Sequence, residues 1–225
     1  MKLLLFDIDG TLISAGGAGT RSLNKAFEKV LGIRDAFKNF EMAGKTDVQI
    51  IKEGLKIHGK EPSSSLINEL IENYLEFLQI EIKNNSKHIK PGVLEFINFN
   101  LEKFSYPMGL LTGNLERGAR IKLDPFGLNP ILPFGAFGSD HEDRNSLLPI
   151  AVDRFLKKFS KTINYHQCIV IGDTPRDVIC AKIHGAKVIA VATGPYSFQE
   201  LSNTDADVVV ENLSQIEKIL PLLSN

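Results

Sequence analysis

Cysteine is scarce in this chain. Cys168 and Cys180 are the two among 225 residues, too few for a disulfide framework, and their spacing matches no metal-ligand motif. Neither charge is in excess: the formal net charge is -1, so the basic face of a nucleic-acid binder is missing and no nucleic-acid partner is expected. No window approaches the ~18 apolar residues that span a bilayer, so no membrane partner is expected either. The opening run Met1-Lys2-Leu3-Leu4-Leu5-Phe6 stops at Asp7, short of the roughly 7–15 apolar residues of a secretory segment. It reads as a buried strand, and the cytoplasm is the expected location. Internal repeats and low-complexity segments are absent. Gly16-Gly17-Ala18-Gly19 lacks the Lys-Ser/Thr of a P-loop and does not fit Gly-x-Gly-x-x-Gly, which disfavours nucleotide binding. His58, His88, His141, His166 and His184 show no paired spacing for a transition metal.

What remains is an ordinary globular composition, 43% hydrophobic and 24% charged, in a chain long enough for one large domain or a core with a small second module. Five apolar runs read as short buried strands: Lys2–Phe6, Tyr106–Leu111, Gln167–Ile171, Lys187–Ala192 and Asp207–Val210. Most are aliphatic on both faces, as strands of a parallel sheet covered on both sides are. Helical segments alternate with them. Pro91 begins one, with Val93, Leu94, Ile97 and Leu101 as its apolar stripe; others cover Leu147–Leu156, follow Pro175, and run from Leu213 to about Leu222. The pattern predicts an α/β fold, a doubly wound Rossmann-like parallel sheet. One stretch breaks the alternation. From about Ala15 to Ile89 there are helix signals and no strand: Leu23, Phe27, Val30 and Leu31; Val48, Ile51 and Leu55; Leu66, Leu70, Tyr74 and Leu78. This predicts a four-helix insertion, with the Gly-rich loop at residues 16–19 as its hinge. The expected division is a core of residues 1–14 and 90–225 and a cap of residues 15–89.

In an open α/β sheet, ligands bind beyond the carboxyl ends of the strands. The polar residues fall there: Asp7 and Asp9 after the first strand, Thr112, Gly113 and Asn114 after the second, Asp173 and Asp177 after the third. Any one of these segments alone would be a plain turn or helix start. Four carboxylates at one edge repel one another, and a hard divalent cation in an all-oxygen shell relieves that repulsion, which points to Mg²⁺.

Asp7-Ile8-Asp9-Gly10-Thr11-Leu12, then Leu111-Thr112-Gly113-Asn114, then Gly172-Asp173-Thr174-Pro175-Arg176-Asp177, in this order, resemble the haloacid dehalogenase-like hydrolase superfamily. The insertion after the first strand resembles the helical cap of its phosphoglycolate phosphatase-like branch. The resemblance implies Asp7 as a nucleophile that forms an aspartyl-phosphate and Asp9 as the general acid and base. It implies Mg²⁺ held by the Asp7 carboxylate, the Asp9 backbone carbonyl and Asp173, with Asp177 behind. Thr112 and backbone N–H groups near Gly113 and Asn114 would hold the phosphoryl oxygens. The family places a Lys before the helix preceding the Gly-Asp strand. Here Arg144 stands in that place, ranked ahead of Lys122, Lys157 and Lys158, and its fork suits phosphate. Lys45, in Ala43-Gly44-Lys45-Thr46-Asp47, resembles a cap-loop residue that meets the non-reacting end of the substrate; Arg21 is a weaker candidate. The implied substrate is a small phosphorylated metabolite, phosphoglycolate first among them. A phosphomutase of the β-phosphoglucomutase kind is the alternative, disfavoured by Thr11 where such mutases carry Val. Asp9 disfavours a dehalogenase, and a phosphonatase would need a Schiff-base Lys in the cap.

Overall fold

The computed structural model describes residues 1–224; Asn225, the last residue of the expected core, lies outside the described residues. The first strand, β1 (Leu3–Phe6), carries four buried apolar side chains. Their alternation splits the core in two, because successive side chains of a strand point to opposite faces. After β1 come a short strand β2 (Ile13–Ser14), the helices α1 (Ala18–Leu31), α2 (Asp47–Ile57) and α3 (Ser64–Glu81), and a short strand β3 (His88–Ile89). Then follow α4 (Val93–Lys103), β4 (Met108–Thr112), α5 (Glu116–Leu123), β5 (Gly135–Phe137) and α6 (Leu147–Phe159). The chain ends with β6 (Cys168–Gly172), α7 (Pro175–Lys182), β7 (Lys187–Val191), α8 (Phe198–Ser202), β8 (Val208–Val210) and α9 (Ile216–Ser224).

The main sheet has six parallel strands in the order β5-β4-β1-β6-β7-β8. Leu4 and Phe6 pack with α4, α5 and α9 through Phe96, Ile97, Leu123, Ile219 and Leu223. Leu3 and Leu5 pack on the other face with Leu148 and Phe155 of α6 and Val178 of α7. Helices therefore cover both faces, which is the doubly wound arrangement expected. The chain goes from β1 to β4 and β5 on one side and returns to β6, β7 and β8 on the other. The order thus reverses at β1, where a ligand crevice forms. Register brings the strand ends together: Phe6 pairs with both Leu110 and Ile171, and the Asp7 N–H extends the ladder to the Ile171 carbonyl at 2.9 Å.

The structure corrects three expectations. The stretch between β2 and β3 holds three helices rather than four. Asp35 (φ 48°) and Asn39 (φ 61°) take left-handed backbone, which turns residues 33–40 instead of winding them. Nor is that stretch free of strand, since Ile13 and Ser14 pair antiparallel with Ile89 and His88 where the chain enters and leaves it. Finally, α4 starts at Val93, after a left-handed Gly92, and turns Phe96 and Asn100 inward with Val93 and Ile97, leaving Leu94 and Leu101 exposed. The three helices enclose a separate apolar cluster that includes Leu23, Phe27, Ile51, Leu70 and Leu78, reached from the main body by Leu115. Cys168 and Cys180 are buried free thiols, and no helix among the described residues is long and apolar enough to cross a membrane.

Candidate active site

The acidic edge forms around the start of α7. Thr174 caps that helix, and Asp177 closes a capping box, its Oδ2 accepting from the Thr174 N–H at 3.0 Å and hydroxyl at 2.8 Å. Its other oxygen accepts from Arg144 Nη2. Asp173, one step past β6, accepts from the Thr11 hydroxyl at 2.9 Å. Asp7, Asp173 and Asp177 are buried, and each offers an oxygen within 4.8 Å of the others'. Arg144 begins a short 3₁₀ turn before α6, where the resemblance placed the family's Lys. Its Nη2 lies 3.3 Å from Asp7 Oδ1, and its Nε is buried without a partner among the described residues.

One guanidinium thus pairs with two of three clustered, buried carboxylates. Burial pushes Asp7 up to about 6, against the pull of Arg144 and with the repulsion of Asp177 and Asp9 added. Burial, then the charges of Asp7 and Asp177, hold Asp173 well above the ordinary carboxylate range. These oxygens suit a hard divalent cation, and glycine on two sides makes room for the Asp173 carboxylate. A Cβ on Gly194 would stand 1.7 Å from Asp173 Oδ2, and one on Gly10 2.2 Å away. Stability should report this. Without metal, the folded protein holds more protons on Asp7 and Asp173 than the unfolded chain, whose carboxylates titrate near ~4. Stability therefore falls as pH rises from about 4 through 6. A divalent cation such as Mg²⁺, if held by this cluster, would at about 100 times its Kd add ~2.7 kcal/mol and raise Tm by roughly 5–10 °C at pH 7.5 in a chain of this length. At pH 5 protons compete and the rise is smaller. A melting curve indifferent to Mg²⁺ at pH 7.5 would remove the metal site.

Asp9 belongs to a different cluster. Its side chain is 43% exposed, and its Oδ2 accepts from Lys122 Nζ at 2.6 Å and Asn114 Nδ2 at 2.9 Å. Lys122 also donates to Asn114 Oδ1 at 2.6 Å, and Asn114 Nδ2 reaches Thr112 Oγ1 at 2.9 Å. The carboxylate of Asp9 is thus separate from the other acids named as metal ligands, leaving only its backbone carbonyl for that part. Lys122, passed over in favour of Arg144, lies in the last turn of α5 on the face of Gly118.

The helical segment closes the site from above. The Asp47 N–H donates to the Gly113 carbonyl at 2.8 Å, and the Thr46 hydroxyl donates to the Glu142 carbonyl at 2.9 Å. Asp47 Oδ2 accepts from the Leu115 N–H at 2.9 Å. Gly113 is needed for this seating, since a Cβ there would stand 2.2 Å from the Lys45 carbonyl oxygen. Between the two layers is a cavity of about 390 Å³ lined by Asp7, Asp9, Lys45, Asp47, Tyr74 and Lys122, among others. Lys45 faces it with its amine bound to Glu53 at 2.5 Å and 4.5 Å over the Phe40 ring. Arg21 is not brought in: it pairs with Glu81 at 2.5 Å and donates to the Gly16 carbonyl.

A family model described as haloacid dehalogenase-like hydrolase matches residues 1–185. The chain belongs to the haloacid dehalogenase-like hydrolases. A phosphoglycolate phosphatase of Vibrio vulnificus is 24% identical, over 96% of this chain and 94% of that one. Another, of Pseudomonas fluorescens, is 23% identical over 94% of this chain and 77% of its own. Solved structures share the fold. CbbY of Rhodobacter sphaeroides, in complex with phosphate, superposes with TM-score 0.73 at 16% identity, covering 96% of each chain. A hydrolase of Pseudomonas syringae gives 0.68 at 20% identity, covering 99% of this chain and 98% of that one. By family, the chain is a hydrolase.

Proposed function

We propose that this haloacid dehalogenase-like phosphatase is Mg²⁺-dependent and hydrolyses a small phosphate monoester, phosphoglycolate first among candidates, through an aspartyl-phosphate on Asp7. The observation that carries this reading is the division of labour at the strand ends. Three buried carboxylates meet beside one guanidinium, while Asp9 turns away from them to face the cavity. An Asp7 oxygen attacks phosphorus as the ester P–O bond breaks, and the proton on Asp9 goes to the leaving oxygen. Water then attacks the acyl-phosphate, Asp9 takes its proton, and phosphate departs with the Asp7 carboxylate restored. Mg²⁺, held by Asp7, Asp173 and the Asp9 carbonyl with Asp177 behind, would supply charge neutralisation at the phosphoryl oxygens. Arg144 adds positive charge beside Asp7, and Thr112 and the peptide groups after β4 orient the phosphoryl group. The helical segment acts as a cap that excludes water from the aspartyl-phosphate.

Lys45 makes the substrate question concrete. Its charge is committed to Glu53, so an anionic substrate end must draw it away. Against a panel of phosphate esters, turnover should vanish with EDTA and return with Mg²⁺. Glu53→Gln should lower KM for a carboxylate-bearing ester such as phosphoglycolate by roughly 3–10-fold, the range of one freed charge pair. A neutral ester should not respond. Turnover that survives chelation sinks the metal reading, and equal KM changes for both esters remove Lys45 from the substrate.

A further inference from the structure

Lys122 has no part in the steps above, yet it is buried directly against the proposed acid. Its amine reaches Asp9 Oδ2 and Asn114 Oδ1 at 2.6 Å each. Among the described residues it pairs with none of the three clustered carboxylates, two of which hold Arg144. The rest of its surroundings come from the helical segment. Gly19 of α1 lies against it: a Cβ there would sit 3.5 Å from the Lys122 amine, an ordinary contact. A Cβ on Gly118, one turn earlier on the same face of α5, would lie 3.8 Å from Asp47 Oδ2. Asp47 is buried and tied to the Leu115 N–H, and it lines the same cavity as Tyr74 and Lys122. Burial opposes the charge on Lys122, but Asp9, Tyr74 and Asp47 outweigh it and hold its pKa above the ordinary Lys range.

Asp9 stands on a loop with its carboxylate half in solvent. Without Lys122 the Asn114 amide alone would hold it, and a proton donor displaced by about 1 Å forfeits much of its effect. We propose that Lys122 is a positioning residue that fixes the Asp9 carboxylate toward the leaving oxygen, and that the seated cap, through Asp47 and Tyr74, keeps Lys122 in place. This rests on the phosphatase reading and on Asp9 as its acid and base. Closing the cap and aiming the acid then become one event.

The test compares kcat/KM with Mg²⁺ for p-nitrophenyl phosphate, whose leaving group departs without a proton, and for an alkyl phosphate, whose leaving group needs one. Lys122→Met should cut the alkyl value by about 10²-fold and the nitrophenyl value by less than about 10-fold. Lys122→Arg should recover part of the alkyl loss. Asp47→Asn, which leaves Lys122 intact, should move the ratio several-fold the same way. If both esters fall equally in Lys122→Met, or if the ratio is unmoved, the residue is only structural and the proposal fails. Should Lys122→Met not fold, an unmoved ratio in both Lys122→Arg and Asp47→Asn overturns it. A wild-type protein that hydrolyses neither ester refutes the phosphatase reading; an active one with an unmoved ratio refutes only the role of Lys122.

Discussion

Asp7→Asn should lower kcat/KM by at least about 10⁴-fold while raising Tm in Mg²⁺-free buffer. The first effect follows from removal of the attacking oxygen; losses of this size accompany deletion of a covalent nucleophile. The second follows from its surroundings. Burial and the neighbouring carboxylates push the Asp7 carboxyl up to about 6, so at pH 7.5 the fold bears a net cost for keeping it ionised even with Arg144 beside it. An amide of the same shape removes that cost. Activity and stability therefore move in opposite directions, which separates loss of chemistry from loss of fold. Steady-state kinetics and a melting curve on one preparation suffice. Turnover within tenfold of wild type would mean that another group attacks phosphorus.

Asp9→Asn should give a different signature. Its carboxylate is held by Lys122 and Asn114, and an asparagine can keep one of those hydrogen bonds. The structure should hardly change, and the buried acidic cluster keeps all three of its carboxylates. Both proton transfers are lost, which lowers kcat by about 10²–10⁴-fold. With p-nitrophenyl phosphate the first step needs no proton, so phosphorylation outruns hydrolysis. Rapid mixing should show a burst of nitrophenolate near one equivalent per active site, followed by a slow phase, with labelled phosphate on the protein after acid quench. No burst, together with a wild-type kcat, would take Asp9 out of the reaction.

Much of this was legible before the structure, for physical reasons that differ by element. β1, β6 and β7 are buried on both faces, so their sequences are nearly continuous aliphatic runs, ended in β1 by Asp7 and in β6 by Gly172. β5 is a three-residue edge strand, Gly135-Ala136-Phe137, too short for any periodicity. Three helices could be recognised by apolar spacing, but the turn at residues 33–40 carries Phe37 and Phe40, which pack inward as a helix stripe would. Asp7, Asp173 and Arg144 could be located because each follows or precedes an element with its own signal. Asp47 and Tyr74 could not, and Lys122 stood only behind Arg144 for the family's Lys role. In sequence they are an ordinary last-turn Lys, a first-turn Asp and a core aromatic; their shared role exists only where α5 meets α2 and α3. Lys45 was visible as a charge, but its partner Glu53 lies two helical turns away, and only the fold shows them joined.

The two oxygens of Asp177 carry a consequence for genetics. One closes the first turn of α7 through Thr174, and the other holds Arg144 beside the nucleophile. Any allele at this codon alters helix initiation and active-site charge together. A mutational survey scored by activity alone would rank position 177 with the nucleophile, and one scored by abundance would rank it with the core. The two rankings should disagree at position 7 and agree here, so the pair of screens can tell a residue that performs chemistry from one that builds the place where it happens.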